Sequence, residues 1–194
     1  LTENQDSLPR LVRVLERAPA LIADLRDDLS LMEQLLSGEV LEPSEAESLR
    51  LLSSERLRRD EVAFAKSARS AWLRAGLQAN LGVEPQFGAA IARVADQLLR
   101  TLAESAPHVS IVSLGSYASG DLSLRSDLDV VLMVSDDADR AEAEQFARRL
   151  LAQSQQLRQA GSPFDLDLRL RPEGSRGPLV STQTGFQRYS DGAM

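Results

Sequence analysis

The stretch Ser126-Asp127-Leu128-Asp129-Val130-Val131-Leu132-Met133-Val134 decides how this chain is read. From Leu128 to Val134 it is apolar except for Asp129, and three of its residues are valines. That composition suits a strand near the centre of a sheet, covered on both faces. Asp127 and Asp129 stand two residues apart at its entrance, so an extended backbone projects both carboxylates from the same face. A pair of oxygen donors fixed in this way can grip one or two divalent cations.

The flanks add to this. Upstream, Val109-Ser110-Ile111-Val112-Ser113-Leu114 has strand character and ends in the turn residues Gly115-Ser116. Gly115 permits close backbone approach and Ser116 offers a hydroxyl, a combination suited to the terminal phosphates of a nucleotide. Downstream, Ala138 to about Ala160 reads as a helix with Phe146, Leu150, Leu151 and Leu157 on its apolar side, closed by Gly161-Ser162-Pro163. Phe164 to Arg171 then alternates. Leu166, Leu168 and Leu170 face one side of the expected strand, and Asp165, Asp167, Arg169 and Arg171 face the other. Asp167 completes a set of three carboxylates, which would repel one another in a low-dielectric cleft unless cations sat among them. Arg169 and Arg171 suit phosphate or pyrophosphate, and suit equally well an ion pair to Asp165 or Asp167. A loop over Pro172–Pro178 and a short helix over 183–190 end the chain.

Each element alone has an ordinary explanation. Gly-Ser at a strand end is usually a turn, and Asp-x-Asp often marks an exposed strand end. Their order and spacing carry the argument, because Gly-Ser, an Asp-x-Asp entrance and a later Asp strand are jointly required by metal-assisted phosphoryl or nucleotidyl transfer. In that chemistry two metals lower the pKa of the attacking hydroxyl and neutralise the α-phosphate and the departing pyrophosphate.

Composition narrows the options. The 194 residues carry 22 Lys plus Arg against 29 Asp plus Glu, a net charge of −7, with 43% hydrophobic residues, no cysteine and one histidine. Thiolate chemistry and a His-rich zinc site are excluded, which leaves carboxylates as metal ligands and points to Mg²⁺ or Mn²⁺. The acidic balance argues against nucleic acid as a partner. No apolar run is long enough for a membrane helix and no signal pattern opens the chain, so a cytoplasmic location is expected.

Residues 1–108 hold four of the glycines and read as helical. Leu8, Leu11, Val12, Val14 and Leu15 begin one amphipathic segment; Leu21, Leu25, Leu29, Met32 and Leu36 continue at helical spacing from Pro19 to a stop at Gly38. Ser44 and Glu47 have capping-box spacing. From there one long helix over about 44–80 is expected, stopped by Asn80 and Gly82, followed by Phe87, Ile91, Val94, Leu98 and Leu102 up to Pro107. His108 reads as a linker residue, Trp72 as core, and Arg56, Arg58 and Arg59 as a solvated helix face.

Gly115-Ser116 with Ser126-Asp127-Leu128-Asp129-Val130 resembles the nucleotidyltransferase superfamily of DNA polymerase beta. Asp167-Leu168-Arg169-Leu170-Arg171-Pro172-Glu173-Gly174, continuing through Gly177-Pro178-Leu179-Val180 to Phe186 and Tyr189, closely resembles the glutamine synthetase adenylyltransferase family. The resemblance implies an α+β architecture: an α-helical leader over 1–106, then a polymerase-beta-like mixed sheet flanked by helices over 107–194, cut short at its C-terminal end. It implies that Asp127, Asp129 and Asp167 are catalytic and hold Mg²⁺ or Mn²⁺, with Asp167 a ligand or base. Gly115, Ser116, Ser126, Arg169 and Arg171 would bind the nucleotide. The implied reaction moves AMP from ATP to a tyrosine of glutamine synthetase. Alternatives are the phosphorolytic removal of that AMP, which releases ADP, and a silent regulatory module on the same fold. PII-type signalling proteins are implied as regulators. One departure stands out: the family commonly has Gly-Lys-Leu-Gly-Gly-Arg-Glu-Leu where this chain has Gly115-Ser116-Tyr117-Ala118-Ser119-Gly120-Asp121-Leu122.

Overall fold

The computed structural model describes residues 6–41, 45–83, 86–104, 108–136 and 138–192. Seven helices come first: α1 (Ser7–Arg17), α2 (Pro19–Leu25), α3 (Leu29–Ser37), α4 (Glu45–Arg50), α5 (Ser54–Arg59), α6 (Glu61–Leu81) and α7 (Phe87–Leu102). After them the order is β1 (Ser110–Ser113), α8 (Gly115–Ser119), β2 (Leu128–Val134), α9 (Arg140–Gln159), β3 (Leu166–Asp167), β4 (Val180–Thr182) and α10 (Gln183–Ser190). Short 3₁₀ turns lie at Glu39–Leu41 and Gly174–Arg176. Among the described residues the fold is thus mixed α+β, dominated by helix, with one small mixed sheet.

Local chemistry explains the breaks. The expected helix over 44–80 is three helices, because two side chains cap new starts inside it. The Ser53 hydroxyl accepts from Arg56 N at 3.4 Å to begin α5, and the Asp60 carboxylate accepts from Ala63 N at 2.9 Å to begin α6. Likewise the run from Pro19 to Leu36 divides at Asp28, whose carboxylate accepts from Leu31 N and starts α3. The stops at Gly38 and Gly82 are left-handed caps, with φ of +93° and +85°. The Ser44 half of the expected capping box, the Glu47 side chain and Pro107 lie outside the described residues.

The sheet is built on β2. β1 pairs antiparallel to it, with Ser110 opposite Met133 and Ser113 opposite Val130. β3 and β4 both run parallel to β2, at Leu128–Asp129 and at Leu132–Val134 respectively. Since β1 occupies one edge of β2 over Val130–Met133, β3 and β4 must share the other edge, and the chain between them swings out and returns. The expected strand over Phe164–Arg171 is therefore only Leu166–Asp167. Its alternation holds through Leu168, which is buried, and then inverts: Leu170 is 47% exposed and Arg171 only 7%. β4 was not expected. Its first amide, Val180 N, is satisfied by the Glu144 carboxylate of α9.

Five residues of β2, Leu128, Val130, Val131, Leu132 and Val134, are buried, as a central strand requires. A single apolar cluster runs from Val14 and Leu21 through Phe64, Trp72 and Leu98 to Phe146, Leu166 and Val180. The helices of the first half and the sheet share this core. Among the described residues no helix is long and apolar enough to cross a membrane.

Candidate active site

β2 enters the sheet from a compact serine turn. Ser126 Oγ accepts from Ser123 N at 2.9 Å and lies 2.9 Å from Ser123 Oγ. Leu128 N then donates to the Asp165 carbonyl at 2.8 Å, so pairing with β3 begins as the turn ends. The parallel register sets Asp129 beside Asp167. Adjacent strands lie about 4.8 Å apart, and residues in register share a face, so the two carboxylates stand on the same side of the sheet. Asp127, two residues before Asp129, joins them.

At the far end of β1, Leu114 N donates to the Asp129 carbonyl at 2.8 Å. Gly115 follows with a φ of +54°, and a Cβ built there would lie 2.9 Å from Asp129 Oδ2. The close approach that the sequence suggested for a ligand is therefore made to the Asp129 carboxylate itself. Ser116 is the second residue of the one-turn helix α8, and its hydroxyl makes no hydrogen bond to a described residue.

These elements enclose an open cleft of about 620 Å³ lined by Ser116, Arg125, Ser126, Asp127, Asp129, Asp167, Arg169 and Leu170. It gathers every expected site residue except two. Gly115 borders it through Asp129. Arg171 is elsewhere: its buried guanidinium donates to the carbonyls of Leu168 (2.5 Å), Pro178 (2.9 Å) and Gly177 (3.3 Å), clamping the excursion between β3 and β4. Arg125 was missed. Nothing marks it in the sequence beyond its place two residues before Asp127, yet it is exposed and makes no ion pair with a described residue.

Asp129 and Asp167 are shifted in opposite directions. Burial, then the Asp167 and Asp127 carboxylates, push the Asp129 pKa above the ordinary carboxylate value. Asp167 is held below it, chiefly by hydrogen bonds from Arg169, whose N donates to Oδ1 at 2.7 Å while Nε and Nη2 donate to Oδ2 at 2.8 and 2.5 Å. Among the described residues no three acids or histidines are arranged to hold a metal ion. Asp167 is turned to Arg169 instead of toward the other two. The donor set is nonetheless all oxygen, and the mutual repulsion that adds to burial in raising Asp129 is the kind a hard cation relieves. Asp127 and Asp129 would be its ligands, and Asp167 would join them by exchanging its guanidinium partner.

Of the remaining residues singled out from sequence, His108 is exposed with a φ of +54°, Trp72 is buried, and Arg58 pairs with Glu104 at 3.5 Å.

Comparison with known proteins adds a family. Residues 79–193 match the family described as glutamate-ammonia ligase adenylyltransferase. Curated relatives bear the name bifunctional glutamine synthetase adenylyltransferase/adenylyl-removing enzyme. The Burkholderia mallei protein is 38% identical over 85 residues, 43% of this chain and 9% of the relative. The Ralstonia nicotianae protein is 34% identical over 95 residues (48% and 10%), and that of Bifidobacterium longum 32% over 93 residues (44% and 9%). The part of the chain that aligns covers about a tenth of the length of these relatives. The matched region runs from the end of α6 through α10 and so contains every residue of the carboxylate cleft, and the chain belongs to the glutamate-ammonia ligase adenylyltransferase family.

Proposed function

We propose that this chain carries a divalent-cation-dependent nucleotidyltransferase site that moves AMP from ATP to a tyrosine hydroxyl of glutamine synthetase. The observation that carries the reading is the juxtaposition of Asp127, Asp129 and Asp167 beside Ser116 in one open cleft. Membership of the family supplies the acceptor protein, and the relatives' printed names supply both directions of the reaction.

In this reading the acceptor oxygen bonds to the α-phosphorus of ATP while the bond to the bridging oxygen of pyrophosphate breaks. Ser116 and the backbone of the Gly115 turn hold the departing phosphates, and Arg125 and Arg169 face the same cleft with guanidinium groups suited to them. Asp127 and Asp129 would hold the cation, which when bound would supply charge neutralisation at the α-phosphate and a lower pKa for the acceptor hydroxyl. The lowered pKa of Asp167 supports a ligand role for it over a base role, because a carboxylate stabilised in its ionised form accepts a proton poorly. Arg171, engaged with three backbone carbonyls away from the cleft, supports the loop.

Labelled ATP with purified glutamine synthetase and Mg²⁺ tests the forward reaction: label on the acceptor with release of pyrophosphate is expected. Asp129→Asn should abolish it while the far-ultraviolet circular dichroism stays unchanged, and full activity in that variant would overturn the site. Adenylylated glutamine synthetase with phosphate, assayed for ADP, identifies the removing reaction if that is the direction this chain serves. A folded chain that binds no Mg·ATP by calorimetry would leave only a silent module.

A further inference from the structure

The turn that carries Gly115 and Ser116 is too short to hold its own orientation. α8 has five residues and no side-chain cap at its N-terminus, and an isolated helix of that length has negligible stability in water. Its direction must come from outside, and α7 supplies two contacts.

The first is Tyr117, 6% exposed, whose hydroxyl donates to Asp96 Oδ1 of α7 at 2.6 Å. The second is Gly88. A Cβ there would lie 2.3 Å from the Gly120 carbonyl oxygen and 2.7 Å from both Asp121 Cα and Leu122 N, so the backbone of α7 rests directly against the residues that end the turn. Asp121 N in turn donates to the Ser116 carbonyl at 2.9 Å. Tyr117 and Ser116 are neighbours on one helical turn and so project about 100° apart. Tyr117 reaches back beneath β1, where it shares a small hollow with Asp96, Arg100, Val109 and Ser113, while Ser116 faces the carboxylate cleft. Fixing one side chain sets the other. Burial keeps the Tyr117 phenol protonated, so it remains a donor through the neutral range.

We propose that Asp96 is a positioning residue which, through its hydrogen bond to the Tyr117 hydroxyl, fixes the turn that presents Gly115 and Ser116 to the nucleotide phosphates. The proposal rests on the reading of the Ser116 cleft as a nucleotide site. Asp96 does not line that cleft and touches no ligand in it. It also gives the departing residue Tyr117 a purpose: a leucine there would bury the same space but could not be held by a carboxylate.

The test is calorimetric titration of the whole chain with Mg·ATP and with Mg·tripolyphosphate, for the parent and for Tyr117→Phe, Asp96→Ala, Asp96→Asn and Thr101→Val. Tyr117→Phe and Asp96→Ala should weaken both ligands about tenfold, the scale of one hydrogen bond to a charged group. Asp96→Asn keeps an acceptor oxygen and should stay within about twofold of the parent, given the neutral bond's smaller share. Thr101→Val removes a different α7 anchor, the hydroxyl bond to the Leu52 carbonyl at 2.7 Å, and should lower the melting temperature without changing affinity. Parent affinity in Tyr117→Phe and Asp96→Ala overturns the proposal. So does an Asp96→Asn chain as weak as Asp96→Ala, or an equal loss in Thr101→Val, which would reduce the effect to general destabilisation. If the parent itself binds neither ligand, the nucleotide reading fails and takes this proposal with it; binding by the parent with unchanged variants overturns the positioning role alone.

Discussion

Gly115 has no room for a side chain on either of two counts. Its φ of +54° disfavours any L residue, and the Asp129 carboxylate lies where a Cβ would go. Gly115→Ala should cost about 1–3 kcal/mol in chemical denaturation, the usual penalty for a non-glycine residue held in such a conformation. It should also weaken Mg·ATP, because Asp129 must turn aside. Asp129 itself lowers stability at neutral pH. For an acid whose folded pKa is raised, the folded state holds its proton more tightly than the unfolded state; the favourable contribution is present below the ordinary carboxylate pKa and is lost as pH rises through the folded value. Asp129→Asn should therefore raise the melting temperature of the ligand-free protein at pH 7, by about 1–2 °C for a chain of this size, with no gain at pH 3.5. A loss of stability at pH 7 would show that neither burial nor the neighbouring carboxylates make the ionised Asp129 unfavourable in the fold. Asp167 has the opposite sign: its pairing with Arg169 stabilises the fold above the ordinary carboxylate pKa and fades as pH falls through the lowered one.

At the scale of elements, the cleft depends on how loops are pinned. Arg171 holds the excursion from β3 to β4 by bonds to three carbonyls, and lysine cannot reproduce that fork. Arg171→Lys should cost about 2–3 kcal/mol, and limited proteolysis should cut within 172–178 sooner than in the parent. Gly88→Ala drives a methyl group into backbone atoms that have no rotamer to yield, so a loss of about 1–3 kcal/mol is expected in urea unfolding, with faster amide exchange at Gly120–Leu122. Neither effect was legible in the chain. The alternation from Phe164 to Leu168 was, because it follows from period-two burial, and so was the depth of β2, because a strand covered on both faces reads as a nearly unbroken apolar run. Arg171 defeated the reading because pattern alone cannot separate a charge facing solvent from one bonded to turns of the same loop. The single helix expected over 44–80 failed for a related reason: apolar spacing survives across Ser53 and Asp60, and only their capping bonds reveal the breaks. The gathering of the carboxylates and Ser116 in one cleft was legible from their order and spacing; Arg125 was not, since its presence in the cleft depends on the serine turn.

Over the whole molecule, the apolar cluster joins the helical first half to the sheet without an interruption. Scanning calorimetry should show one unfolding transition, with calorimetric and van't Hoff enthalpies equal; two resolved transitions would mean that the halves fold separately. The arrangement also has a kinetic side. β1 and β2 are joined through residues 114–127, which include only the one-turn α8, whereas both parallel partners of β2 arrive only after α9 has crossed the sheet. Long-range parallel pairing of this kind is slow, because loop closure must precede the contacts that reward it. β3 contributes only two residues to its ladder, and one of them is Asp167. The third carboxylate is thus delivered by one of the last and weakest pairings in the sheet, so local opening at β3 would dismantle the acidic triad while leaving the hydrophobic centre closed.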